Sequence, residues 1–220
     1  SSSATTVMTV SFVNAGLLTL TESAGIMMGA NIGTTVTAWF LSILGFKVKL
    51  GAIAIPLMAL GVPMLFFKRS KWRFWGETII GFALLFYGLT LLKGSVPDIK
   101  SNPELVSFVA EFTDWGYWSY LLFILIGAVL TIVIQSSSAT MALTLVMTAQ
   151  GWISFEIAAA MVLGENIGTT ITAELASLAA NVYAKRSAKI HTLFNIFGVG
   201  WMLLVFPFFL KGIAWMNGFD

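Results

Sequence analysis

The chain has 220 residues, of which 58% are hydrophobic and only 10% charged, with a net charge of +2. A soluble domain carries about 25% charged residues, so this chain could not cover a water-facing surface and belongs in a bilayer. It has no Cys and one His, which excludes disulfides, thiolate metal sites and a His-rich metal site, and no basic tract suggests nucleic-acid binding.

Taken in order, residues 4–15 form a short apolar stretch. Residues 17–44 are long enough to cross a membrane but are interrupted by GANIGTT. Residues 50–67 predict a span carrying Pro56 and Pro63, followed by the basic loop KRSKWR at 68–73 and a span over 76–92. Residues 93–117 hold Pro97, Pro103 and most loop acids and read as a linker. Next come two apolar arms, 118–134 and 139–150, around the polar centre QSSS. Residues 155–180 predict a span interrupted by GENIGTT, KRSAK at 185–189 a second basic loop, and 190–210 the last span.

Residues 1–40 and 136–175 align without a gap at an offset of 135: SSSATT against SSSATM, and GANIGTTVTA against GENIGTTITA. A duplicated polar motif in a membrane sequence marks a transporter built from two repeats. The domains are then a first repeat over 1–92, a linker over 93–117 and a second repeat over 118–220. The second copy follows an apolar run ending in Gln135, whereas nothing comparable precedes Ser1. A preceding arm and a Gln are therefore expected to be missing.

A single helix over 118–150 would be about 50 Å long, more than a bilayer needs. A re-entrant hairpin with its tip at QSSS is the alternative we expect. Three spans then separate the two copies, so the second enters from the opposite face. The fold class expected is an all-α membrane protein of two inverted repeats, each with a re-entrant helical hairpin and a broken transmembrane helix. Lys68, Arg69, Lys71, Arg73, Lys185, Arg186 and Lys189 fall on one face, against Lys47, Lys49, Lys93, Lys100 and Lys211 on the other. The positive-inside rule puts the first face in the cytoplasm of a multi-pass cell-membrane protein, and the linker outside.

A Ser-rich tip that opens a helix offers free N–H groups, hydroxyls and a partial positive charge, an anion site without a basic side chain. Hydroxyl, amide and carbonyl oxygens of the NIGTT blocks suit Na⁺. No Lys or Arg occurs between Ser1 and Phe46 or between Ser101 and Ala184. A bound anion would therefore need mobile cations to neutralise it, which favours symport over an anion channel. Against this stands plain packing: GANIG and GENIG are both GxxxG, and Ser and Thr often only bridge neighbouring helices. Glu165 stands where the first copy has Ala30, and reads as a proton or cation group or as a carboxylate facing water. Glu22 and Glu156 read as solvated, Glu174 as a candidate for the cavity, and His191 with Asn195 as a local packing pair. Trp72, Trp75, Trp115, Trp118 and Trp201 read as an interfacial belt.

SSSAT followed about 30 residues later by G-x-N-I-G-T-T, twice in one chain and with Gln135 before the second copy, resembles the type II sodium/phosphate cotransporter family. The resemblance covers most of the chain, least diagnostically 50–92 and the linker, and looks bacterial. It implies Na⁺-coupled symport of inorganic phosphate, with no other cofactor. It implies substrate binding at Ser1, Ser2, Ser3, Gln135, Ser136, Ser137 and Ser138. Asn31, Thr34, Thr35, Asn166, Thr169 and Thr170 would line the same cavity and, with Glu165, serve sodium. A homo-oligomer or a cytoplasmic regulatory domain would be compatible partners. Alternatives are a symporter for another oxyanion or small carboxylate, including a proton-coupled one, and a non-transporting sensor or assembly subunit. An enzyme is disfavoured, because no His or Lys lies beside the Ser residues to activate them.

Overall fold

The computed structural model describes residues 1–43, 50–68, 70–95, 107, 111–113 and 115–218. Most of the linker assigned to 93–117 lies outside the described residues, as do Lys47, Lys49, Arg69 and Lys100. The described residues form nine principal helices: α1 Ser2–Asn14, α2 Leu20–Ser42, α3 Leu50–Met64, α4 Ser70–Ser95, α5 Tyr117–Ile134, α6 Ser137–Ala149, α7 Phe155–Gly168, α8 Ile171–Ser177 and α9 Val182–Asn217.

The 135-residue offset recurs in the helix boundaries. Ser1 and Ser136 are the N-caps of α1 and α6, accepting from the amides of Ala4 and Ala139 at 3.4 and 3.3 Å. Both helices end before a glycine of positive φ, Gly16 at +73° and Gly151 at +79°. At each end the next amide reaches back five residues, from Leu17 to Phe12 and from Trp152 to Met147, both 2.9 Å. This six-to-one bond is the Schellman termination, which needs the left-handed residue that glycine supplies freely. The following helices again start in matched fashion. Thr19 caps α2 in a capping box with Glu22, and Ser154 caps α7.

The interior is unusually rich in hydroxyls. Thr6, Thr9, Ser23, Thr131, Thr140, Thr144 and Ser187 are buried, while Phe66, Phe197, Phe208, Trp39, Trp118 and Leu204 stand on the surface. That is the inverse of a water-soluble core and the pattern of a protein whose solvent is hydrocarbon. Ser70–Ser95, Tyr117–Ile134 and Val182–Met216 are each long and apolar enough to span a bilayer.

Glycines set the closest helix contacts. A Cβ on Gly76 of α4 would meet the Gly61 carbonyl of α3 at 2.8 Å. A Cβ on Gly127 of α5 would collide with the Met161 carbonyl of α7, and one on Gly164 with the Ile124 carbonyl. Around this α5–α7 seam lies a core of Phe123, Ile124, Ile157, Ala160, Met161, Val199 and Phe206. The pairs Ile124–Gly164 and Ala128–Gly168 keep a constant separation of 40 residues, so α5 and α7 run parallel.

Three expectations meet the structure as follows. Residues 118–150 are not one helix: the chain breaks at Gln135, a left-handed residue (φ 55°, ψ 26°), and restarts at Ser136. The broken helix exists in the second copy alone. There α7 stops at Gly168, Thr169 and Thr170 form a turn, and α8 begins at Ile171, whereas α2 runs unbroken through GANIGTT. The motifs are nearly identical, so the difference is tertiary. Gly164 and Gly168 are clamped by α5, while a Cβ on Gly29 or Gly33 would meet nothing within 4 Å. Finally, KRSAK is not a loop but the start of α9. Asn181 caps that helix through the Ala184 amide at 3.0 Å. Ala184, Ser187 and Ala188 turn inward, leaving Lys185, Arg186 and Lys189 outward, so the basic residues occupy one solvated face of a continuous helix. Likewise Lys71 and Arg73 lie in the first turn of α4, where Arg73 pairs with Glu77 at 3.1 Å.

Candidate functional site

Helices α2 and α9 run side by side in parallel. Ser187 donates to Ser23 at 2.8 Å, and Asn31 Nδ2 donates to Asn195 Oδ1 at 3.3 Å. Both pairs are separated by 164 residues, and two helical turns lie between them. Asn195 is held in turn by its own Nδ2, which donates to the His191 carbonyl at 2.9 Å. Its carbonyl oxygen is thereby aimed across at α2.

Beside this Asn pair opens a cavity of about 540 Å³. Its polar lining is Asn31, Thr34, Thr35 and Ser42 from α2, Asn166 from α7 and Asn195 from α9. Met141, Leu145, Leu163, Phe194 and Met202 supply much of the apolar remainder. Among the described residues no charged side chain lines it. The two NIGTT blocks thus meet through their Asn residues at one space, with α9 closing the third side. Thr34 and Thr35 also donate to backbone carbonyls of their own helix, Ala30 at 3.0 Å and Ile32 at 2.7 Å, leaving hydroxyl lone pairs free to accept or to ligate.

The remaining candidate residues lie elsewhere. Thr169 and Thr170 are buried and donate to the Glu165 and Ile167 carbonyls at 2.8 Å each, sealing the break between α7 and α8. Glu165 is 1% exposed and does not line the cavity. Its Oε1 accepts from Thr144 of α6 at 2.7 Å. Glu174 accepts from Thr192 at 2.7 Å, tying α8 to α9, and is also absent from the cavity lining. Ser136 and Ser138 border a second cavity of about 710 Å³ between α2, α4 and α6, together with Thr37, Gly81 and Gly88. Ser137 is buried and Gln135 exposed at the turn. Ser1, Ser2 and Ser3 form the N-terminal turn of α1 and line neither space.

Sequence reasoning read Asn195 as local packing, yet it is a cavity residue. The available signal was His191–Asn195 at i, i+4, repeating the four-residue step of Ser187–His191. Only the register with α2 shows that this stripe faces Asn31. Among the described residues no group of three or more His, Cys, Asp or Glu side chains is arranged to hold a metal. The site's ligand atoms are neutral oxygens, which suit hard cations rather than transition metals, while its Asn amide N–H groups can donate to an oxyanion.

A family model described as Na⁺/Pi-cotransporter matches residues 1–94 and 105–218. The chain is similar to the protein YqeW of Bacillus subtilis (strain 168), 32% identical over 211 residues, covering 94% of this chain and 64% of YqeW. It is 35% identical over 212 residues to YjbB of Escherichia coli (strain K12), provisionally named an inorganic phosphate export protein, covering 94% of this chain and 36% of YjbB. Sodium-dependent phosphate transport protein 2C of Mus musculus is 43% identical over 114 residues, covering 50% of this chain and 18% of that protein. This chain thus spans less than two thirds of each of these relatives. No solved structure matches it.

Proposed function

Because this chain belongs to the Na⁺/Pi-cotransporter family, we propose that it works as a secondary active transporter in which inorganic phosphate moves together with Na⁺. The observation that carries this reading is the duplicated neutral site. Two Asn-Ile-Gly-Thr-Thr blocks meet around a cavity that no described charged side chain lines, and each repeat also carries a Ser-capped helix. Phosphate in such a place needs countercharge, and helix N-termini supply only part of it. Sodium ions on the amide and hydroxyl oxygens of Asn31, Thr34, Thr35 and Asn166 supply the rest, so neither ion is well accommodated alone. That mutual dependence is what couples the two fluxes. Phosphate sits at the Ser tips, with Ser136, Ser137 and Ser138 and their counterparts Ser1, Ser2 and Ser3 donating amides and hydroxyls, and Gln135 flanking the second tip.

The repeats are inverted and the Ser tips re-entrant in this reading. Two long-range pairings support it. Asn181 donates its backbone N–H and Nδ2 to Asn14, at 2.7 and 3.0 Å, so the ends of α1 and α9 share one level. Gln150 Nε2 donates to the Lys93 carbonyl at 3.1 Å, joining the end of α6 to the end of α4. With the Lys71, Arg73, Lys185, Arg186 and Lys189 ends in the cytoplasm, the first pairing is cytoplasmic and the second external. The two copies then open to opposite sides.

A second reading concerns direction, because YjbB is named for export. A symporter runs either way according to its gradients, so both names suit one machine. The test is labelled phosphate movement in proteoliposomes under an inward Na⁺ gradient, an outward one, and none. Flux that follows the Na⁺ gradient and is lost in the Ser137→Ala, Asn166→Ala double variant bears the proposal out. Flux indifferent to Na⁺ in both directions would sink the coupling.

A further inference from the structure

The α2–α9 seam continues past the cavity. The register that pairs Ser23 with Ser187 and Asn31 with Asn195 places Met27 opposite His191, between the two pairs. Successive rungs are four residues apart, about one helical turn. On α9 they are Ser187, His191 and Asn195, a polar line that runs from the basic end of the helix to the cavity. Ser187 also donates to the Met27 sulfur at 3.8 Å.

The seam is packed differently on its two sides. On the cavity side Asn31 and Thr34 are half-buried, Thr35 and Ser42 are exposed, and the space follows α2 as far as Ser42. On the other side Ser23, Met27, Ser187 and His191 are all buried. There Val10 and Val13 of α1, Ala173 of α8, and Ala184 and Ala188 of α9 close around Met27. In the topology proposed above, the cavity runs outward and the sealed stretch faces the cytoplasm.

Packing alone does not account for His191. It is 1% exposed, and among the described residues neither ring nitrogen has a hydrogen-bond partner. Such a ring forfeits the hydrogen bonds it makes in water, a penalty that an apolar residue in the same place avoids. The course of α1 adds a second observation. Asn14 accepts from Asn181, and Val10 and Val13 pack with Ala184 and Ala188, so α1 runs back along α9. Ser3, eleven residues before Asn14, is therefore about 16 Å along, near the height of His191. The imidazole stands level with the first Ser tip and one turn below the Asn31–Asn195 pair.

We propose that this stretch of the α2–α9 seam is the release route to the cytoplasm, shut in this structure by Met27 and His191. His191 is the first residue that ions leaving the cavity meet. When α2 and α9 part, its ring presents a donor and an acceptor to the hydrated ions, and the Ser23–Ser187 pair continues the polar line below it. The route rests on the transport reading, whereas the opening of the seam is a separate property that can be measured without flux.

The chain has no Cys, so a Ser23→Cys, Ser187→Cys variant carries one thiol pair, placed where the two hydroxyls are 2.8 Å apart. Oxidising the pair should abolish phosphate flux in proteoliposomes and reduction should restore it, with each single variant indifferent to oxidant. Undiminished flux through protein shown by mass spectrometry to be cross-linked would overturn the route. His191→Asn, which keeps a donor and an acceptor, should retain flux that His191→Leu loses, and equal flux in the two would remove His191 from the route. The opening itself is read from the single Ser187→Cys variant, labelled by an impermeant thiol reagent from the cytoplasmic face. Labelling should occur, and faster with Na⁺ and phosphate together than with choline chloride. No labelling under any condition overturns the opening, and a rate indifferent to the ions overturns its link to transport. Flux absent from the Cys-free protein would count instead against the transport reading, and the occurrence of labelling alone would then decide whether the seam opens.

Discussion

Asn195 accepts from Asn31 across the α2–α9 seam and is oriented by its bond to the His191 carbonyl. Replacing it with Ala removes both bonds and leaves the Asn31 amide facing the cavity unpaired. Hydrogen bonds between membrane helices contribute about 0.6 kcal/mol on average, so Asn195→Ala should cost little stability. Its larger effect should be on sodium dependence of flux, because Asn31 would lose its fixed orientation. An unchanged sodium titration in Asn195→Ala would remove the α9 residue from the site. Thr19→Ala tests a residue with a purely local role. It loses the capping box with Glu22, whose carboxylate accepts from the Thr19 amide at 2.8 Å and hydroxyl at 2.7 Å. The expected loss is about 1 kcal/mol, readable by thermal unfolding in detergent, with sodium dependence unaltered.

At the scale of the element, the same glycine motif has two fates. Gly164 and Gly168 are pressed against backbone of α5, and an Ala there must push α5 and α7 apart. Overpacking of that kind costs about 1–3 kcal/mol. At the paired positions Gly29 and Gly33 an added methyl meets nothing within 4 Å. Gly164→Ala should therefore destabilise markedly and Gly29→Ala should not, as compared by unfolding midpoints. Equal losses at both would mean that the Gly29 face is also packed in the working protein. Several helix boundaries follow from local signals, although the start of α9 at KRSAK read as a loop. The Ser-Ser-Ser caps, the Gly16 and Gly151 terminators and the Thr19 and Ser154 caps are local signals that need no tertiary partner. A break was expected at both glycine motifs and occurs only after Gly168, and the unbroken α2 shows that the motif alone does not break a helix.

For the whole molecule, membrane residence follows from composition and is seen in the three spanning-grade helices and the apolar exterior. The proposed inverted arrangement makes a clean prediction, since the chain contains no Cys. Single cysteines at Leu17→Cys and Lys185→Cys should react with an impermeant thiol reagent from one side of the membrane, and Glu156→Cys from the other. Leu17 and Glu156 reacting from the same side would rule out inversion.

What the sequence by itself determined is everything that depends on neighbours along the chain. That covers the bilayer as solvent, the duplication, the caps, the glycine terminators and the resemblance carried by QSSSAT and NIGTT. What only the tertiary structure decided is direction. A helical side chain points wherever its helix is rotated, and rotation is set by the partner it packs against. Asn166 and Glu165 are adjacent in sequence, about 100° apart around α7. With Gly164 clamped to α5, that rotation turns Asn166 into the cavity and Glu165 into the dry junction with Thr144. Nothing in GENIGTT states which of the two would face inward.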